Sequence, residues 1–112
     1  MNALRNKVSL IGNLGNDPEI TVFDNGNKVA RFNVATNEYY KNKEGERVEN
    51  TQWHTIVAWN NLAKIVENNL KKGQEIALEG KLTQRSYESK SGEKRFVTEI
   101  EMREIVLLGM KK

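Results

Sequence analysis

An alternation of apolar and polar residues with a period of two runs through most of this chain and limits what it can fold into. The longest alternating stretches are 7–13, 28–39, 52–59 and 75–87. This pattern is typical of β-strands that bury one face and leave the other in solvent. Shorter extended stretches are predicted at 19–23, 94–102 and 105–108. The clearest turn runs from Asp24 to Asn27, where Asn and Gly tolerate the positive φ of a hairpin.

One segment, 61–72, has a helical period instead. Its apolar residues that fall on one helix face are Leu62, Ile65, Val66 and Leu70. Asn61 is a suitable N-terminal cap, and Gly73 can end the helix. Lys71 and Lys72 suit the negative C-terminal end of a helix dipole. The charged segment 41–50 lacks a period and contains a glycine, so it is predicted to be a mobile loop.

The order of elements is therefore three long strands, one helix and two or more further strands. A parallel α/β sheet would need a helix between most of its strands. The 112 residues suffice for one closed core and are too few for two. The predicted fold is a single all-β domain over 1–112. It is a five-stranded OB-fold, an antiparallel barrel with one helix between strands 3 and 4 that commonly binds oligonucleotides.

Composition argues against catalytic and metal chemistry. The chain has no cysteine, which excludes disulfides, thiolate nucleophiles and Cys-type zinc sites. Its single histidine, His54, cannot build a histidine metal cluster, and its two aspartates, Asp17 and Asp24, lie in turn sequences. No carboxylate cluster has the spacing of a two-metal nuclease, and no phosphate-binding loop motif is present. We expect no enzyme, no cofactor, no membrane span and a cytoplasmic protein.

Aromatic residues occur where the outward face of a strand should be polar. A period of two places Trp53, Thr55, Val57 and Trp59 on one face of the third long strand. At about 3.3 Å per residue the two tryptophans lie roughly 20 Å apart, so each would receive a different base of an extended strand. Further aromatics stand beside basic residues, namely Tyr39, Tyr40, Tyr87 and Phe96.

Stacking platforms next to cations are typical of proteins that bind single-stranded nucleic acid without sequence preference. The net charge of +3 is modest, so the placement of the charges carries this hypothesis. Taken one at a time, the same residues have another interpretation: strand tryptophans are usually core, and basic residues usually form a solvated surface. An OB domain that binds protein or oligosaccharide is the competing functional class.

Four segments resemble the bacterial single-stranded-DNA-binding protein family over essentially the whole length. They are NKVSLIGNLGNDPE at 6–19, VARFNVATNEYY at 29–40, TQWHTIVAWNNLAKIVENNLKKG at 51–73 and IALEGKLTQRSYESKSGEKRFVTEIEM at 76–102. The resemblance implies an OB-fold subunit of a homotetramer around which single-stranded DNA wraps during replication, recombination and repair, on the nucleoid in the cytoplasm. A dimeric primosomal-type OB protein that contacts both DNA and protein is the alternative.

The resemblance also implies roles for particular residues. The family's stacking aromatics match Tyr40, Trp53, Trp59 and Tyr87, and its histidine near a subunit interface matches His54. Basic contacts match Lys7, Lys43 and Arg85, with Arg5 and Lys72 as further matches. Pattern alone adds Tyr39 and Phe96 as aromatic candidates and Lys81 as a phosphate contact.

The sequence departs from the family pattern at several points. Tyr40 and Tyr87 replace tryptophan, Trp59 replaces phenylalanine, and Thr55 replaces a frequent basic residue. The family's Gly/Pro/Gln-rich linker and acidic C-terminal tip have no counterpart before Lys112. Either the sequence is a shortened form or the chain is a tailless member of the family. In the second case, recruitment of replication and repair proteins through that tip is not expected.

Overall fold

A computed structural model describes residues 5–109 of the chain. Its elements are β1 (Val8–Leu14), β2 (Glu19–Val22), β3 (Lys28–Lys41), β4 (Arg47–Trp59), α1 (Asn61–Asn69), β5 (Glu75–Glu88) and β6 (Lys94–Gly109). The strands form one sheet in the order β1-β5-β6-β4-β3-β2. A further pairing of β1 with β3, at Asn13↔Ala35 and Leu14↔Val34, closes this sheet into a barrel.

The predicted OB-fold is confirmed. In the described part of the chain, β1, β3, β4, β5 and β6 close the barrel, and the short β2 pairs only with the start of β3. When β2 is counted, the helix follows the fourth strand rather than the third. One pairing departs from the antiparallel prediction: β4 and β6 run parallel, with Ile56 opposite Ile100. This parallel contact places the β3–β4 hairpin beside the β5–β6 hairpin.

The core is filled from one face of each strand and sealed by the helix. Ala30, Phe32 and Val34, predicted to share a face of β3, are all buried. Their neighbours in the core include Ile56, Ile76 and Met102 from other strands, and Ala63 and Val66 from α1. The alternation in the sequence therefore identifies the inward face correctly along β3 and β5.

A glycine in β1 allows this strand to approach β3 closely enough to close the barrel. A Cβ added at Gly12 would collide with the carbonyl oxygen of Ala35. Position 12 requires glycine because the two backbones are too close there for a side chain.

The predicted loop over 41–50 is wrong in its extent. β3 and β4 stay paired as far as Lys41↔Arg47, so the turn is short. Asn42 organises it, because its Oδ1 accepts hydrogen bonds from the backbone N–H groups of Glu44 (3.0 Å) and Glu46 (2.9 Å). This hairpin extends beyond the core, so its side chains are solvated on both faces and show no apolar period although the backbone ladder is complete.

The helix is shorter than predicted and is capped differently. α1 begins at Asn61, and the residue before it, Asn60, has a φ of 52° and makes no side-chain cap. Asn60 Oδ1 instead accepts a hydrogen bond from the Lys28 N–H at 3.0 Å. The helix ends at Asn69 because Leu70 is extended and turns into the core. Lys71 and Lys72 therefore lie beyond the helix and do not serve its C-terminal end.

The last strand is continuous where the sequence indicated two runs. β6 pairs with β5 from Lys94 to Gly109, and the register shifts between Glu79 and Gly80. On the β6 side of this shift Arg103 is the extra residue, lying between Met102 and Glu104. A bulge of this kind inverts the alternation, which explains why the period of two breaks at that point.

Candidate nucleic-acid interface

One side of the barrel carries six of the predicted site residues, among them both tryptophans. Strand register places on it the odd-numbered residues of 29–41, 47–59, 81–87 and 95–101, and this surface is called the outer face below. It is continuous across both hairpins, because Arg31 lies opposite Val57 and Val57 lies opposite Glu101. Lys81 in turn lies opposite Glu101.

Trp53 projects from the outer face and rests on the β1–β2 loop. Its side chain is 62% exposed, so it is not a core residue. A Cβ on Gly15 would collide with the far edge of the indole, so the ring lies directly against that glycine. Two hydrogen bonds of 2.9 Å hold the loop there, from Gly15 N–H to the Asn33 carbonyl and from Asn33 N–H to Asn16 Oδ1. The loop therefore fixes the position of the ring.

Trp59 forms a second aromatic site at the other end of the same strand face. It is 38% exposed and stacks on Phe23, with ring centroids 6.1 Å apart and an interplanar angle of 22°. Phe23 is also exposed and was missed by the sequence analysis. The available signal was an aromatic residue at the end of the extended stretch 19–23, immediately before a turn. The two rings together present a larger apolar surface than either does alone.

The tyrosines of the β3–β4 hairpin lie on opposite faces. Tyr39 belongs to the outer face, opposite Glu49, whereas Tyr40 pairs with Val48 on the other side. Both rings are exposed. The Arg47 guanidinium lies 4.2 Å from the centroid of the Tyr39 ring, a cation–π contact. The structure thus places Tyr39 on the same face as Trp53 and places Tyr40 on the reverse face of the hairpin.

The β5–β6 hairpin separates its two aromatics in the same way. Tyr87 lies on the outer face with Lys81 and Arg85, as the period of two predicts, and is exposed. Phe96 pairs with Ser86 on the reverse face. The Lys94 ammonium lies 5.6 Å from the centroid of the Phe96 ring.

Half of the predicted phosphate contacts already have an acidic partner. Lys7 lies 3.6 Å from Glu79, Lys81 lies 3.6 Å from Glu101, and Arg85 lies 3.2 Å from Glu99. Arg5, Lys43 and Lys72 are exposed. The backbone N–H of Lys72 donates to Asp17 Oδ1 at 2.9 Å, which ties the segment after the helix to the loop beneath Trp53.

A charged cluster that the sequence analysis missed crosses the middle of the outer face. The carboxylate of Glu99 is buried and bonds to the guanidinium groups of both Arg31 and Arg85. The arginines come from β3 and β5, so the cluster links the two hairpins side chain to side chain. No sequence signal pairs these residues, because 68 positions separate Arg31 from Glu99.

His54 lies away from the outer face. It is half-buried, and its Nε2 lies 3.0 Å from Thr36 Oγ1. Its assignment to a subunit interface stays a prediction.

Across residues 5–109, no three His, Cys, Asp or Glu side chains are grouped closely enough to hold a metal ion. In the same part of the chain, no helix has the length and apolar character needed to cross a bilayer.

Comparison with known proteins decides the family. The model of the single-strand binding protein family matches residues 5–108. The chain belongs to this family. The resemblance found in the sequence is therefore confirmed.

Relatives and a solved structure agree with that assignment. The chain is 46% identical over 107 residues to the single-stranded DNA-binding protein 1 of Chlorobaculum tepidum, covering 95% of this chain and 66% of that protein. It is 44% identical over 104 residues to the single-stranded DNA-binding protein of Neisseria meningitidis serogroup A, covering 93% and 60%. It thus spans about two thirds or less of these family members.

The fold is also that of a solved family structure. The chain superimposes with a TM-score of 0.83 on the Plasmodium falciparum SSB in complex with ssDNA. Sequence identity in that comparison is 32%, and it covers 96% of this chain and 99% of the other.

Proposed function

We propose that this chain binds single-stranded DNA without sequence preference, stacking bases on the aromatic rings of the outer face. The observation that carries the proposal is the exposure of Trp53 and Trp59 on one continuous surface that also holds Arg31 and Arg85. Membership of the single-strand binding protein family and the names of the relatives support it.

The outer face offers separate sites to one extended strand. Trp53 and Trp59 lie roughly 20 Å apart along β4, at about 3.3 Å per residue, so they do not compete for one base. Each stacked base contributes about 1–3 kcal/mol whatever its identity, because every base has a π-face. Tyr87 extends this row onto the neighbouring hairpin, and Tyr40 would take bases that cross to the reverse face.

Phosphate contacts are assigned to the basic residues around these rings. Arg5, Lys43 and Lys72 are exposed, whereas Lys7, Lys81 and Arg85 must share their charge with a carboxylate. Neutralised phosphates release counterions, so log K should fall with log salt at about −0.7 per contact on a single strand. Protein that binds this way protects and covers the strand and does not cleave it.

Fluorescence titration tests the proposal directly. Addition of an oligo(dT) at low salt is expected to quench tryptophan emission to saturation, since both indoles stack on bases. An oligo(dC) of equal length should quench to a similar extent, and a duplex control should quench little. Absence of quenching at low salt would refute base stacking, and release of labelled fragments in magnesium would refute a purely binding role.

A homotetramer is the assembly we propose. Ile11 and Val106 are exposed on strands that neighbour β5, and with Ala77 they line one apolar groove. Among residues 5–109, the edge of β1 facing β3 pairs only at Asn13 and Leu14, which leaves backbone groups available for pairing with a second copy. Sedimentation should give four times the chain mass; twice that mass would favour the primosomal-type dimer.

We propose that the protein acts on single strands exposed in replication, recombination and repair, on nucleoid DNA in the cytoplasm. The sequence-tolerant chemistry of the outer face suits any of these processes. Expression of a fluorescent fusion should give foci at sites of DNA damage, and a diffuse signal that damage does not change would contradict this placement.

A further inference from the structure

We propose that Glu99 is an internal competitor of phosphate, which sets how strongly the outer face holds DNA. This inference rests on the function proposed above. Glu99 lies buried between two arginines, at the centre of the surface that carries Trp53, Trp59 and Tyr87. A carboxylate and a phosphate oxygen offer a guanidinium the same kind of charge-assisted acceptor, so the two anions compete for it.

The geometry of the cluster leaves donors for a second anion. Arg85 directs Nε to Oε1 at 3.2 Å and Nη2 to Oε2 at 3.4 Å, and Arg31 bonds to Oε2 through Nη1. A guanidinium carries five N–H groups, so each arginine retains several that Glu99 does not use. The side chains of Arg31 and Arg85 are 36% and 50% exposed, whereas that of Glu99 is 7% exposed. The arginines therefore face solvent and the carboxylate lies beneath them.

The position of the cluster is suited to the backbone of a bound strand. Arg31 lies opposite Val57, between the two tryptophans in the β4 register, and Arg85 lies two residues before Tyr87. Val57 is itself buried, so bases are not received there. The middle of the outer face thus carries the positively charged arginines, and the aromatic rings on which bases can stack lie around them.

The charge balance of the cluster predicts whether loss of the Glu99 charge strengthens or weakens DNA binding. Two guanidinium groups and one carboxylate leave a net charge of +1 where the arginines alone would give +2. The cluster then attracts about one phosphate instead of two. Removal of the carboxylate charge should therefore tighten binding and raise its dependence on salt, although no residue that touches DNA has changed.

The experiment compares Glu99→Gln with Glu67→Gln on the full chain. Glu67 also pairs with a cation, Lys28 Nζ at 2.6 Å, and its loss changes the net charge equally. Lys28 begins β3 and Glu67 belongs to α1, so that pair lies on the helix side, away from the outer face. Dissociation constants for oligo(dT) are measured from 0.1 to 1 M salt, with circular dichroism to check the fold.

We expect Glu99→Gln to steepen the log–log slope by about 0.7, the value for one further phosphate on a single strand. If the plots of log K against log salt for the variant and the wild type meet at 1 M salt, the variant binds roughly five-fold tighter than the wild type at 0.1 M. Glu67→Gln should keep the wild-type slope. Equal slopes for all three proteins, equal steepening in both variants, or weaker binding by Glu99→Gln would each overturn the proposal.

Two further variants keep the test decisive if Glu99→Gln does not fold. Arg31→Gln and Arg85→Gln each leave one arginine neutralised by Glu99, so each should flatten the slope by about 0.7. An unchanged slope in both would mean that the cluster only joins the hairpins, and would overturn the proposal. If the wild type itself fails to bind oligo(dT), the proposed function fails instead, which separates the two results.

Discussion

Single residues on β4 show how similar side chains acquire different surroundings. Trp53 and Trp59 occupy equivalent phases of the same alternation, yet one rests on a glycine and the other stacks on Phe23. Ile56 and Ala58, on the opposite phase, are buried completely. Strand phase therefore decides which side a residue faces, and the neighbouring loops decide how much of it is exposed.

Truncation of either exposed tryptophan should weaken DNA binding and leave the fold intact. We expect Trp53→Ala or Trp59→Ala to lose about 1–3 kcal/mol of binding free energy, the value of one stacked base. Quenching of the remaining tryptophan reports binding, and circular dichroism reports the fold.

Phe32→Ala provides the matched control, because Phe32 is an aromatic residue that is buried in the barrel. It should lower the free energy of unfolding by about 3–5 kcal/mol. A tryptophan variant that unfolds as readily as this control would contradict the assignment of the indoles to the DNA-binding surface.

Among the elements, β1 and the connection that follows it each contain a glycine with its own structural role, Gly12 in the strand and Gly15 in the connection. A side chain at Gly12 would meet the backbone of β3, whereas the three atoms nearest to one at Gly15 all belong to the Trp53 ring. A backbone cannot yield without opening the barrel, while a ring on the surface can swing aside.

Alanine substitutions separate those two tasks. Gly12→Ala should lower the free energy of unfolding by about 1–3 kcal/mol, as overpacking does. Gly15→Ala should leave unfolding nearly unchanged and should shift Trp53 emission and weaken oligo(dT) binding. Denaturant unfolding and fluorescence titration on both variants check this, and reversed effects would show that the close approaches are misassigned.

The two long hairpins carry aromatics on both of their faces, so the path of DNA matters. Tyr39 shares the outer face with Trp53, and Tyr40 lies on the reverse face. A short strand that lies along the outer face cannot reach both tyrosines. A long strand that passes around the hairpin can.

The expected consequence is a dependence on DNA length. Tyr40→Ala should weaken binding of a long oligo(dT) that wraps the assembly and should barely affect one that spans a single outer face. Titration of the variant with both lengths checks this, with Tyr39→Ala as the comparison. Equal losses at both lengths would place Tyr40 on the short path and argue against wrapping around the hairpin.

The molecule as a whole has the outer face, which we propose binds DNA, and a second surface that is apolar. Ile11 is 64% exposed beside the open edge of β1, and Val106 lies nearby on β6. Val22 is exposed to a similar degree, 63%, but it lies on β2 at the far end of the sheet order. A comparison of Ile11 with Val22 therefore distinguishes a residue of the proposed assembly surface from one that is merely exposed.

A charge placed at Ile11 should therefore dissociate the assembly. Ile11→Glu is expected to reduce the sedimenting mass while far-UV circular dichroism stays unchanged, since burying a carboxylate without a partner is costly. Val22→Glu should keep the wild-type mass. The same mass for wild type and both variants would exclude the Ile11 surface from assembly.

Much of the fold and part of the site follow from local pattern. The period of two identified the inward residues of β3 and the outward tryptophans of β4, because strand geometry alone turns successive side chains to opposite faces. It failed for 41–50, where a hairpin solvated on both faces has no apolar signal. It also failed at the end of α1, where the burial of Leu70 ended the helix before the lysines.

The rest was decided by contacts between residues far apart in the chain. The sequence by itself determined a β-barrel with one helix, two outward indoles and basic residues near them. Only the tertiary structure brought Phe23 onto Trp59, set Gly15 beneath Trp53 and buried Glu99 between Arg31 and Arg85. The physical reason is that strand periodicity is a property of neighbours along the chain. Close approach and charge pairing depend on barrel closure and on the parallel contact of β4 with β6.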